Sequence, residues 1–126
     1  MRILFDSHAL VWFLTGDRRF PPHLRGSVSE AEKFISAVCV WEIATKVSRG
    51  KWPEANRIAV ILDDVLETSD YTALPISLKH AQVAGYFASR HRDPFDRMLA
   101  AQAQVEAIPL VTADPVFDDF GVQVIW

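Results

Sequence analysis

The chain is poor in cysteine: Cys39 stands alone among 126 residues. An internal disulfide framework is excluded, and a reducing compartment is the expected setting. Glycine is scarce too, with five residues and no GxGxxG or Walker A loop among them. A nucleotide cofactor is therefore not expected. No apolar run approaches the ~20 residues of a membrane span. The opening MRILFDSHALVWFL is interrupted by Asp6 and His8 and has no small-residue cleavage pattern. It reads as a first strand and helix, not a signal peptide, which leaves the cytoplasm as the expected location. An excess of positive charge is also missing, the net charge being −3 with His neutral, so bulk charge announces no nucleic-acid binder. A polyanion would have to meet local basic groups: Arg18 and Arg19; Lys46, Arg49 and Lys51; or Arg90, His91, Arg92 and Arg97. Each of these reads first as a solvated face. Zinc has no HExxH or CxxC to hold it, and the four histidines are scattered. There is no Ser/His/Asp signature.

What is present is a 50% hydrophobic chain with no internal repeat, low-complexity tract or linker. Residues 1–126 read as a single domain, of a length that buries roughly two thirds of its unfolded surface. Short, partly β-branched apolar runs alternate with helix-like stretches. RILF reads as a strand and HALVWFL as the helix after it, then PPHLRGSVSEAE as a turn and short helix. KFISA is a second strand, followed by a helix over about Val38 to Arg49 that Gly50 stops. Pro53 to Leu66 is helical, with Ile58, Ile61, Leu62 and Val65 on one side. TALPI is a third strand, SLKHAQVAGYFASR a helix opened by Ser77, and Pro94 to Ala107 another helix. IPLVT, DPVFDDF and VQVIW read as a strand, a short helix and a last strand. Such alternation implies a parallel sheet covered on both faces. Helix N-termini then gather at the carboxyl edge of the sheet, where open α/β folds bind ligands.

Sixteen acidic residues need a selection rule. The rule is a position at the carboxyl end of a strand or in the opening turns of a helix that starts there. Asp6 follows RILF, Glu42 lies early in the helix after KFISA, Asp96 is in the first turn of its helix, and Asp114 lies just past IPLVT. Asp93 also qualifies, as the cap of the helix that Pro94 opens. Each has an ordinary alternative. Asp6 and Asp114 serve as N-caps, and Asp96 complements the helix dipole. Glu42 pairs with Lys46 at i,i+4 for about 0.3–0.5 kcal/mol. It falls off the Val40, Ile43, Ala44, Val47 stripe but shares another with Val38, Trp41 and Thr45. Together the acids say more. Like charges about 4 Å apart repel by roughly 4 kcal/mol at an effective dielectric near 20. Several carboxylates on one edge therefore need a cation or raised pKa values. All-oxygen ligands suit Mg²⁺ or Mn²⁺. His8 and His91 lie near this edge and read as surface or core residues.

The stretches LFDSHALVWFL, ISAVCVWEIATKVSRGK, HRDPFDRMLAAQA and LVTADPVF, with FGVQVIW as the last strand, resemble the PIN-domain family, specifically VapC-type ribonuclease toxins. The resemblance covers essentially the whole chain, in order. It implies a three-layer α/β/α fold with a five-stranded parallel sheet of order 3-2-1-4-5. It implies an acidic site for Mg²⁺ or Mn²⁺, with Asp6, Glu42, Asp96 and Asp114 matching the family's acids. Thr112 matches the family's hydroxyl, Asp93 a commonly acidic position, and Ser7 stands where a threonine is common. It further implies cleavage of RNA such as tRNA or another structured RNA, inhibition of translation, a homodimer, and a small VapB-type antitoxin. Helices around Leu10 to Leu14 and Ile58 to Leu66 are the expected partner contacts, and Arg90, Arg92 and Arg97 the expected guides of the RNA backbone. Two other classes remain. A phosphatase or receiver-like domain would use Asp6 as nucleophile, but His8 replaces the second acid of D-x-D. A non-catalytic binding module would use the acids only as caps.

Overall fold

In the computed structural model, which describes residues 1–68 and 70–126, five strands form a parallel sheet: β1 (Arg2–Phe5), β2 (Glu32–Ser36), β3 (Tyr71–Leu74), β4 (Leu110–Val111) and β5 (Val124–Ile125). Their order is β3-β2-β1-β4-β5, as the family resemblance implies, so β1 lies at the centre. Six helices join them: α1 (Ser7–Thr15), α2 (Pro22–Glu30), α3 (Ala37–Ser48), α4 (Asn56–Glu67), α5 (Leu78–Tyr86) and α6 (Pro94–Glu106). Two short 3₁₀ turns, Pro53–Ala55 and Pro115–Phe120, precede α4 and β5.

Alternation along the strands divides the core. Ile3 and Phe5 of β1 and Val111 of β4 pack on one face with Leu10, Val11, Phe20, Ile43 and Ile58. Leu4 and Leu110 pack on the other with Leu99, Ala103, Phe117 and Phe120. The central strand must be apolar on both faces because helices cover both. Its Ile3, Leu4 and Phe5 are fully buried. Asp6 is the first residue to break that run. Its main-chain N–H still reaches the Val111 carbonyl at 3.1 Å, so the carboxylate leaves the sheet just where the ladder ends.

Several boundaries differ from those the sequence suggests. The third strand is Tyr71–Leu74, not TALPI: Pro75 has no N–H to continue a ladder, and Ile76 lies beyond it. In the last run only Val124 and Ile125 pair. The Pro53 to Leu66 helix opens as a 3₁₀ turn and runs to Glu67. The short helix at DPVFDDF is likewise 3₁₀. The helix opened by Ser77 ends at Tyr86, not Arg90, because Phe87 turns out of it at ψ 131. Gly50 does help stop α3: its φ is +66, and the next N–H, of Lys51, closes on the Lys46 carbonyl at 2.9 Å. Of the two apolar stretches expected to meet partners, Leu10 and Val11 are buried in the protein's own core, as is Ile58. Ile61, Leu62, Val65 and Leu66 are partly covered against it.

Candidate metal centre

Asp6, Glu42, Asp93, Asp96 and Asp114 all line a cavity of about 160 Å³ at the carboxyl edge of the sheet, with Ser7, His8, Lys46, Leu99 and Phe117 completing its wall. The selection rule therefore brings together every acid it chose. The ordinary readings hold as well. Asp6 caps α1, its Oδ1 accepting from Ala9 N–H at 2.7 Å. Asp93 caps α6 through Phe95 N–H at 2.8 Å and Asp96 N–H at 3.3 Å. Asp114 caps its 3₁₀ turn through Val116 N–H at 3.0 Å. Capping and convergence are one arrangement here, because helices that start at a sheet edge bring their cap residues to it.

Glu42 reaches the cavity through its second stripe. Trp41 beside it packs edge-on against Phe95 of α6, with ring centroids 4.7 Å apart, which turns that side of α3 toward the start of α6. Both Glu42 oxygens are engaged: Oε1 accepts from Ser7 Oγ at 2.6 Å and Oε2 from Lys46 Nζ at 3.0 Å. The Lys46 pair foreseen as a surface contact thus stands at the cavity wall. Thr112 is fully buried. Its hydroxyl donates to Asp6 Oδ2 and accepts from Asp114 N–H at 3.0 Å, so it fixes one acid directly and the backbone of another. Asp96 is held by His91, whose Nε2 lies 2.7 Å from Oδ2. Ser7, Lys46 and His91 were not assigned to the site from the sequence. Ser7 carried a signal, since it follows Asp6. So did Lys46, through its i,i+4 spacing to Glu42, whereas His91 reaches Asp96 only by the path of the irregular chain before α6.

Burial dominates the electrostatics. It pushes the Asp6 carboxyl up to about 6, against the hydrogen bonds from Thr112 and Ala9, and the negative charges of Glu42 and Asp114 raise it further. Burial likewise raises Asp96, opposed by the His91 hydrogen bond, with Asp93 and Glu42 adding repulsion. His8 is lowered, first by burial and then by Lys46, and its ring lies against Trp52 at 4.5 Å. Among the described residues no three His, Cys, Asp or Glu side chains are already drawn close enough to hold an ion together. The donors point into one space while Ser7, Lys46, Thr112 and His91 satisfy them singly.

The expected RNA guides divide. Arg90 and Arg92 are exposed. Arg97 does not serve as expected: its guanidinium is committed to main-chain carbonyls at Ala84, Gly85, Phe87, Ser89 and His91, which uses all five of its N–H groups. In the first basic group, Arg19 is bound to Asp17 and Glu54.

A PIN domain model matches residues 3–123. The chain belongs to the PIN domain family. Solved structures with the same PIN fold extend over nearly the whole chain. VapBC2 from Rickettsia felis, bound to a promoter DNA fragment, has a TM-score of 0.72 at 20% identity, covering 99% of this chain and 98% of that one. VapBC-1 from nontypeable Haemophilus influenzae has a TM-score of 0.70 at 16% identity, covering 99% and 97%. VapC20 from Mycobacterium tuberculosis, described as a sarcin–ricin loop cleaving toxin, has a TM-score of 0.69 at 16% identity, covering 95% of each. No curated protein sequence matches at a significant level. At these identities the likeness is one of fold. Among the described residues no helix of this PIN domain is long and apolar enough to cross a membrane.

Proposed function

We propose that the protein is a Mg²⁺- or Mn²⁺-dependent endoribonuclease, the toxin of a VapBC-type toxin–antitoxin pair, acting as a single domain over residues 1–126. The observation that carries this reading is the convergence of Asp6, Glu42, Asp96 and Asp114, with Asp93 at the rim, on one cavity of a PIN domain. The donor set fits a hard cation, being all carboxylate oxygen with no thiolate or HExxH pair. The raised Asp6 carboxyl fits it too: burial disfavours its ionisation first and the charges of Glu42 and Asp114 add to that, and a cation would offset both.

Asp6, Asp96 and Asp114 would hold the ion directly or through water, and Glu42 would complete the cage. An ion bound there supplies charge neutralisation for the phosphodiester and acidifies a water. Thr112 keeps the Asp6 carboxylate aimed, and the Asp6 cap on α1 keeps it from rotating away. In this reading Glu42 would also accept a proton from the attacking water. Lys46, now paired with Glu42, is a cation within the same wall and can meet a phosphate oxygen as the substrate enters. Arg90 and Arg92, exposed beside the start of α6, guide the flanking backbone.

The substrate is a structured RNA such as a tRNA; the description of the tuberculosis relative as a sarcin–ricin loop cleaving toxin favours a structured target. Its cleavage would inhibit translation. The complexes among the similar structures support a VapB-type antitoxin partner, and the toxin is proposed to act as a homodimer. The cytoplasm is the fitting compartment. The test is cleavage of total RNA with Mg²⁺ or Mn²⁺, with and without chelator, by wild type, Asp6→Asn and Asp96→Asn. Cleavage that needs the metal and fails in both variants is the expected result. Equal cleavage by all three would reject the reading.

A further inference from the structure

The segment between α5 and α6, residues 87–93, has no regular structure, yet it is held at many points. Arg97, in the first turns of α6, donates from Nε to the Ala84 carbonyl at 3.0 Å and from Nη2 to Gly85 at 3.4 Å and Phe87 at 2.8 Å. Nη1 donates to Ser89 at 3.0 Å and His91 at 2.9 Å. The guanidinium thus satisfies carbonyls left over at the end of α5 and fixes the path of the chain beyond it. His91 is held again through its N–H, which donates to Ser89 Oγ at 3.1 Å. Its ring meets the Phe120 ring edge-on at 6.0 Å. Its Nε2 reaches Asp96 Oδ2 at 2.7 Å, and an ionised carboxylate can only accept, so Nε2 carries the hydrogen.

We infer that His91 and Arg97 are positioning residues for Asp96: Arg97 pins the 87–93 segment, and His91, carried by it, fixes the Asp96 carboxylate for the ion. This rests on the reading of Asp96 as a metal ligand. The pair is more than a surface ion pair. A free surface histidine has an unrestrained main chain and ring, whereas this one is held by its N–H, its carbonyl, its ring and Nε2. The bond occupies Oδ2 and leaves Oδ1 to meet the cation. Carboxylate ligands held this way gain affinity because their orientation is set before binding, and loss of such a partner typically weakens metal binding 10–100-fold. The two residues flank Asp96 in the HRDPFDR stretch, so one short sequence supplies the cap, the ligand and both supports.

The test measures Mn²⁺ affinity by EPR and the melting temperature of the metal-free protein, at one fixed pH. His91→Ala and His91→Phe, the latter keeping a ring against Phe120, are expected to weaken Mn²⁺ about 10-fold with little change in melting temperature. His91→Gln, which returns an N–H donor, recovers most of that affinity, and Arg97→Lys falls between. In an Asp96→Asn background, His91→Phe adds no further loss. Wild-type affinity in His91→Phe, with affinity lost in Asp96→Asn, would overturn the positioning role and leave the metal reading standing. Wild-type affinity in Asp96→Asn would remove both. An equal His91→Phe loss in the two backgrounds would show that the histidine does not act through Asp96.

Discussion

Helix α6 carries a histidine–carboxylate pair at each end, and the two do different things. At its C-terminal end His80 Nε2 meets Glu106 Oε1 at 3.0 Å, with the His80 side chain 2% exposed. His80 also closes a capping box on α5: its N–H donates to Ser77 Oγ at 3.1 Å, and its Nδ1 accepts from Ser77 N–H at 3.0 Å. Both ring nitrogens are spent, Nδ1 on the cap of α5 and Nε2 on tying α5 to α6. At the N-terminal end His91 meets Asp96 at 2.7 Å with side chains 30% and 22% exposed, and Asp96 faces the acidic cavity. The same chemistry is structural where the carboxylate lies on the outside of the helix pair. Under the function proposed above it acquires a positioning role where the carboxylate lines a cavity with four other acids. Burial of the histidine is therefore a poor guide to function. What its partner faces is a better one.

The sharpest way to break this comparison is to neutralise the carboxylate at each end. Asp96→Asn is expected to lower the RNA cleavage rate by more than about 100-fold, since a direct ligand should matter more than its supports. Glu106→Gln should leave the rate within about twofold, because nothing it touches lies at the cavity. Single-turnover cleavage measures both. Stability should divide the other way. His80→Ala removes a buried ring and leaves the Ser77 N–H without its acceptor, for a loss of about 2–3 kcal/mol. His91→Phe should cost less than about 1 kcal/mol. Urea unfolding of the metal-free proteins reads both values, and the reverse ranking would dissolve the distinction between the two ends.

The pH dependence sharpens it further. Asp6 is raised from the ordinary carboxylate value of 3.8 to about 6, so the folded, metal-free protein binds a proton more readily than the unfolded chain. The stability this contributes is fully present below about pH 4 and is lost as pH rises through 6, a span of roughly 3 kcal/mol. Asp6→Asn is therefore expected to raise the melting temperature at neutral pH, with the gain shrinking toward pH 4. Metal affinity has the opposite sign. Protons compete for the Asp6 carboxylate, so Mn²⁺ binding should weaken as pH falls below about 6. Thermal melts and Mn²⁺ titrations across pH test the two slopes together. The smallest effect is expected at Arg92. Arg92→Ala should raise the KM for RNA about threefold at low salt and have no effect at high salt, as befits an exposed charge on a screened path.

The Asp-Pro starts show how far local reading reaches. Asp93-Pro94 and Asp114-Pro115 both open helical turns by capping, as their residue types dictate. Nothing in the dipeptides says that one opens a 13-residue helix and the other a six-residue 3₁₀ turn. That difference comes from length and packing: Leu99, Ala100 and Ala103 bury α6 against the sheet, whereas Gly121 ends the second turn in a left-handed conformation at φ +68.

Apolar alternation and the placement of acids after strands were enough to determine the parallel sheet, its carboxyl edge and the group of acids there, because they act through local periodicity and a fixed strand–helix polarity. Strand order came from resemblance, and the sheet has it. Tertiary structure alone decided that Arg97 spends its donors on main-chain carbonyls and that His91 finds Asp96. It also decided that Ser7 joins Lys46, the i,i+4 partner legible in the sequence, on Glu42, and that Thr112 serves both Asp6 and Asp114. Each of these depends on the path of an irregular segment or on two distant elements meeting. Side-chain hydrogen bonds follow that geometry and leave no period in the sequence to read.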